Sequence, residues 1–129
     1  MALRDTEPRG KLKLGVVMDP ISAIKVEKDT TLALLLAAQK NGLKLFYMES
    51  KDLVLHNGEL KAYMRSLTVD DDTDNWHQFH NSRKETPDEV SDLDIILMRK
   101  DPPFNMDFVY TTQLLEIAEK MGVFVTNRP

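Results

Sequence analysis

Arg99, Lys100 and Asp101 stand in a row between an apolar run, Ile95-Ile96-Leu97-Met98, and the pair Pro102-Pro103. Arginine can grip a carboxylate or phosphate with two parallel N–H donors, and lysine adds a compact point charge. The two prolines stop the chain from continuing as strand or helix, because each lacks a backbone donor and has a fixed φ. Such a turn holds its charges with little orientational freedom. It can be a solvated strand end whose charges pair locally, but a rigid turn at a strand terminus favours a ligand crevice. Met18-Asp19-Pro20-Ile21 repeats the design: apolar strand, carboxylate, proline. Asp19 can accept from a ligand ammonium or hydroxyl, or bond its own backbone in an Asx turn. Asn127 follows the last apolar run and can line the same edge, or serve only as turn chemistry. The candidate binding set is therefore Asp19, Pro20, Ile21, Arg99, Lys100, Asp101, Pro102 and Asn127, with no residue assigned a catalytic role.

Other chemistry finds little footing. His77 and His80 have a helical i, i+3 spacing near Asp70, Asp71, Asp72 and Asp74. These acids lack the glycine and terminal glutamate of a calcium loop. Two histidines without further patterned ligands do not make a zinc site, so no metal ligand is assigned. The glycine fingerprints of dinucleotide and P-loop sites are missing, as is a nucleophile elbow.

The elements that must position the candidate residues follow from hydrophobic pattern. Lys13–Met18 reads as a strand buried on both faces. Asp29 or Thr30 caps a helix running to about Asn41, with Leu32, Leu35, Leu36 and Gln39 on one face and Gly42 as its stop. Leu43–Met48 is a second strand, so the opening is a parallel βαβ unit. Leu53–His56 and Glu59–Arg65 flank Asn57-Gly58, a strong hairpin signal. The stretch from Thr68 to Pro87 has little periodicity, and Asn75–Phe79 is expected to form a short helical turn burying Trp76 and Phe79. Strand Asp94–Met98, helix Met106–Met121 and strand Val123–Thr126 close the chain. The class is α/β: an open, mostly parallel sheet with helices on both faces and a β-hairpin insertion.

Composition limits the partners. The 129 residues suit one domain, and 42% hydrophobic content supports a packed core. The formal net charge of −4 argues against a nucleic-acid module. With no cysteine, disulfides and thiolate chemistry are excluded, and a reducing cytoplasmic setting is permitted. No apolar run approaches the ~20 residues of a membrane span. Residues 1–10 are polar and read as a disordered lead-in, natural or left by cloning, before a domain over residues 11–129.

The motifs in order resemble the amino-terminal domain of bacterial glutathione synthetase. Lys13-Leu14-Gly15-Val16-Val17-Met18-Asp19-Pro20-Ile21 looks like that family's opening. Phe46-Tyr47-Met48-Glu49 is similar to its second strand, Asp92–Phe104 resembles its most recognisable motif, and Val125–Pro129 resembles its exit. The resemblance implies a Rossmann-like domain preceding an ATP-grasp region. It further implies an ATP- and Mg2+-dependent ligase that condenses γ-glutamylcysteine with glycine through an acyl phosphate, and it favours a cytoplasmic homo-oligomer. The residues that bind ATP and Mg2+ would belong to the following region, so the isolated chain is expected to be inactive. Asp19 to Ile21 and Arg99 to Pro103 would then line the peptide-substrate side of an interdomain cleft. Two other roles are compatible with the residues: a stand-alone binding or regulatory module, and a small nucleotide-binding enzyme, against which the missing glycine motifs weigh.

Overall fold

The computed structural model describes residues 12–18, 30–71, 76–81, 85–99 and 106–127, with the backbone alone at 30, 106–108 and 127. Strand β1 (Lys13–Met18) is followed by helix α1 (Thr30–Lys40) and strand β2 (Lys44–Met48). A hairpin, β3 (Leu53–His56) and β4 (Glu59–Ala62), precedes β5 (Arg65–Val69), β6 (His77–Phe79) and the two-residue β7 (Asp88–Glu89). Strand β8 (Ile95–Arg99), helix α2 (Met106–Lys120) and strand β9 (Phe124–Asn127) complete the order.

The main sheet runs β6-β5-β2-β1-β8-β9. Its β2, β1, β8 and β9 are mutually parallel, as two βαβ units require. The sheet is mixed rather than uniformly parallel, because β5 pairs antiparallel with β2, and β6 antiparallel with β5. The helices take opposite faces, and the side-chain alternation of β1 shows it. Leu14, Val16 and Met18 share a core with Leu32 and Leu35 of α1. Val17 instead packs in the core that holds Leu114, Leu115 and Ala118 of α2. Burial on both faces explains why β1 is apolar without alternation. Each fully buried Val, Leu, Ile or Met here contributes on the order of 1.5–3 kcal/mol.

Both helices stop in the same way. Gly42 and Gly122 take φ of 88° and 98°. Their amides return to Gln39 and Glu119, and the next amides, of Leu43 and Val123, return to Ala38 and Ala118. This is the Schellman arrangement, which satisfies the last carbonyls and turns the chain straight into a strand.

The hairpin forms where Asn57-Gly58 places it, with φ of 52° and 81° and His56 opposite Glu59. Its surroundings differ from expectation. Glu59–Arg65 is not one strand: β4 ends at Ala62, and β5 begins at Arg65 in the other sheet. The buried positions give the reason. Leu60, Ala62 and Met64 are buried in alternation, and then burial slips by one to Leu67 and Val69. A slip of one residue exchanges the faces of a strand, so the chain changes sheets there. The small sheet, β3-β4-β7, contributes Leu53, Leu60 and Ala62 to the core under α2.

The expected helical turn at Asn75–Phe79 is also corrected. Trp76 is buried as anticipated, but His77–Phe79 is strand β6, paired residue for residue with Leu67–Val69. A three-residue strand is fixed by its distant partner, which local spacing cannot reveal. Gln39, anticipated on the inner face of α1, completes this edge. Its amide donates to the Val69 carbonyl at 2.8 Å, and its carbonyl accepts from the Val69 amide at 2.9 Å.

Candidate functional site

The parallel register sets the edge at which a crevice can open. Met18 and Arg99 are Cα partners, as are Val17 and Met48, and Met98 and Asn127. Four parallel strands therefore end along one carboxyl edge, where ligand sites of open α/β sheets lie. Of the sequence-derived candidates, Arg99 is described in full and the backbone of Asn127 is in place on β9. Asp19, Pro20, Ile21, Lys100, Asp101 and Pro102 lie outside the described residues. Strands β1 and β8, which the two proline-containing segments follow in sequence, are adjacent and in register at their last residues.

Arg99 follows Ile95 and Leu97 in the alternation of β8 and so faces the α1 side of the sheet. Its Nε donates to Oγ1 of Thr31, in the first turn of α1, at 3.2 Å. Thr31 is buried. A guanidinium tethered by Nε is oriented rather than swept through solvent. It also stands at the amino end of a helix, which carries partial positive charge. Two positive features at one spot favour an anionic ligand group.

Two further strands meet the same edge on the same face. Tyr47 of β2 is paired with Arg65, the first residue of β5. The Tyr47 hydroxyl donates to Oε2 of Glu49 at 2.5 Å, and Lys51 lies 3.7 Å from the other Glu49 oxygen. The Arg65 guanidinium lies 3.8 Å from the ring centroid of Phe79, and its Nε donates to the Asn81 carbonyl at 3.1 Å. The Asn81 side chain in turn accepts from the Ser66 amide at 2.7 Å. Thr31 and Arg65 were not legible as site residues. Tyr47 and Glu49 stood within a family-like segment, Phe46–Glu49, that pointed to them without giving a role.

The histidines flank the Arg65 end of this edge, on or just after β6. His77 packs edge-on against Trp76 and Phe79. Burial first, and the Arg65 cation second, hold its imidazole below the ordinary value of 6.5. His80 Nε2 lies 2.8 Å from Thr68 Oγ1. Among the described residues, no group of three or more His, Cys, Asp or Glu side chains converges as a metal cage. A hollow of about 160 Å³ on the α2 side is lined by Met98, Thr112, Leu115, Glu116, Glu119 and Val125. Among the described residues its charged lining, Glu116 and Glu119, is acidic, so it suits an anion poorly. Among the described residues, no helix is long and apolar enough to cross a membrane.

The family model for the prokaryotic glutathione synthetase N-terminal domain matches residues 12–129. The chain belongs to that family. It is 50% identical over 118 residues to the glutathione synthetase of Salmonella typhimurium, 52% to that of Pseudomonas syringae pv. tomato and 48% to that of Escherichia coli O127:H6. Each match covers 92% of this chain and 36% of the relative, so the chain spans about a third of the length of these synthetases. The matched region includes the whole carboxyl edge described above.

Proposed function

We propose that this chain forms the peptide-substrate wall of an ATP-dependent ligase that joins γ-glutamylcysteine to glycine, giving glutathione, ADP and phosphate. The observation that carries the reading is Arg99, held by Thr31 at the carboxyl edge, on the amino end of α1. A dipeptide with two carboxylates is the kind of ligand that such a positive, oriented spot recognises. Asp19, Pro20, Ile21, Lys100, Asp101, Pro102 and Asn127 are proposed to complete that wall, because they adjoin strand ends in register with it.

The chain's part is to bind and orient. Following the family resemblance, ATP and Mg2+ are assigned to an ATP-grasp region outside this chain, and no chemical step is routed through the chain itself. The domain is taken to span residues 11–129 behind a lead-in at 1–10, and to work in a cytoplasmic homo-oligomer. The 129 residues alone should bind substrate without turning over ATP. Incubating the purified chain with ATP, Mg2+, γ-glutamylcysteine and glycine tests this: no ADP above the protein-free rate is expected. Turnover would sink the claim that another region is required.

A further inference from the structure

The main sheet is covered unequally on its α1 side. One row of paired residues crosses it there: Phe79, Leu67, Leu45, Leu14, Ile95 and Phe124. Every member is apolar. Leu67, Leu45 and Leu14 are at most 5% exposed, Ile95 is half-buried, and Phe124 is 67% exposed. The next row repeats the gradient, from buried Val16 and Leu97 to half-buried Thr126. The seat of α1 explains it. The helix packs on β2 and β5, so its cover thins beyond β1. On the opposite face the neighbour of Phe124, Val125, packs against the core under α2.

Helix α1 also turns an apolar flank toward the uncovered strip. Thr31 is bonded to Arg99 of β8, and Gln39 to Val69 of β5, so each flank of the helix looks toward a different end of the sheet. Leu34, three residues after Thr31, lies on the β8 flank and is 43% exposed. Leu34, Ile95 and Phe124 form the wall, floor and rim of a shallow apolar groove over β8 and β9. Among the described residues, nothing fills it. A single exposed apolar side chain needs no partner. A row that is apolar from strand to strand and then ends bare does need one, because parallel strands are buried on both faces and helices supply the cover. The strip from β1 to β9 is about 10 Å wide at the usual strand spacing, which is the width of one helix.

The occupant follows from chain order. The family model for the N-terminal domain runs to residue 129, and the chain covers 36% of the synthetases it matches. In those proteins the remaining length continues from the end of β9, beside the groove. So short a tether gives that stretch a higher effective concentration at the groove than a separate molecule has. We infer that a helix in the polypeptide directly after residue 129 of the longer synthetase lies in this groove, with its apolar face on Phe124, Ile95 and Leu34. This rests on the reading of the chain as one part of a longer ligase, and it names the contact that seats the next part.

The test places p-benzoylphenylalanine at Phe124 of the full-length synthetase, irradiates it and maps the linked peptides by mass spectrometry. Links should join position 124 to residues shortly after 129 within one molecule. Links between two molecules would give the groove to a second copy, and links to residues 1–11 would give it to the start of the chain. Either result, or no link at all, would overturn the inference, as would a coding frame that stops at Pro129. Unaltered protein supplies a second readout that needs no variant to fold. Hydroxyl-radical labelling of Phe124 and Leu34 should be severalfold weaker in the full-length protein than in the 129-residue chain, and equal labelling would overturn the inference. A glutathione-forming assay on the same full-length protein separates the two readings. Glutathione formed while Phe124 stays unprotected removes only this inference. Protection of Phe124 in a protein that forms no glutathione removes the proposed function and leaves the groove's occupant standing.

Discussion

At the amino end of β8, the Asp94 carboxylate accepts from the Lys13 amide at 2.8 Å, while the Asp94 amide donates to the Lys13 carbonyl and its own carbonyl accepts from Phe124. At the carboxyl end, Arg99 reaches out of the sheet to a side-chain hydroxyl on α1. Both residues belong to one charged, family-like segment. The structure divides them. Asp94 spends its acceptors on backbone that must be paired, and so fixes the register of β1, β8 and β9. Arg99 donates from its inner nitrogen to a neutral hydroxyl on a helix, a contact that orients the group across the face of the sheet. A charge bonded to backbone builds the sheet, whereas a charge bonded through Nε to a hydroxyl is positioned for something else.

That contrast can be broken by experiments of decreasing size. Ile96, fully buried between these ends and facing α2, sets the scale. Ile96→Ala should cost about 2–5 kcal/mol in denaturant unfolding, and a smaller loss would mean that the β8 core is not packed as described. Asp94→Ala should cost about 1.5–3 kcal/mol, because it leaves the Lys13 amide without its charged acceptor. Stability unchanged by Asp94→Ala would erase the distinction between the two ends.

Arg99→Ala should cost less stability than Asp94→Ala, since its contact to Thr31 is to a side-chain hydroxyl and not to the backbone ladder. In the longer ligase it should raise KM for the dipeptide about tenfold with little change in KM for glycine. Unaltered kinetics for both substrates would return Arg99 to a structural role. Thr31→Val, which removes the tether but keeps the shape, should move the same KM in the same direction by less.

The smallest effect concerns pH. His77 titrates below its ordinary 6.5 when folded, so the unfolded chain binds more protons in the window between the two values. Stability should be full above about pH 6.5 and fall as pH drops below it. His77→Gln should flatten that part of the pH–stability curve, measured by thermal midpoints. An unchanged slope would show that another group titrates there.

The particular elements show how far the sequence could be read. The strand–helix–strand units around β1 and β8 were legible because apolar runs, 3.6-residue spacing and Gly42 and Gly122 all agree on them. The Asn57-Gly58 turn was legible because two adjacent residues must take positive φ. β6 and the break between β4 and β5 were missed, since both depend on partners outside any local window. The burial slip between Met64 and Leu67 was present in the sequence as a change in apolar phase, but it reads as noise until a second sheet is known to exist.

The candidate site divides along the same line. The sequence by itself determined that charged, proline-containing segments follow two strands, and covalent order with parallel strand polarity starts both segments from one edge. It could not determine that Thr31 tethers Arg99, or that antiparallel β5 returns Arg65 to that edge on the same face. Those contacts join residues far apart in the chain. Only the register of paired strands and the seating of α1 on the sheet, decided by close packing of the whole core, bring them together.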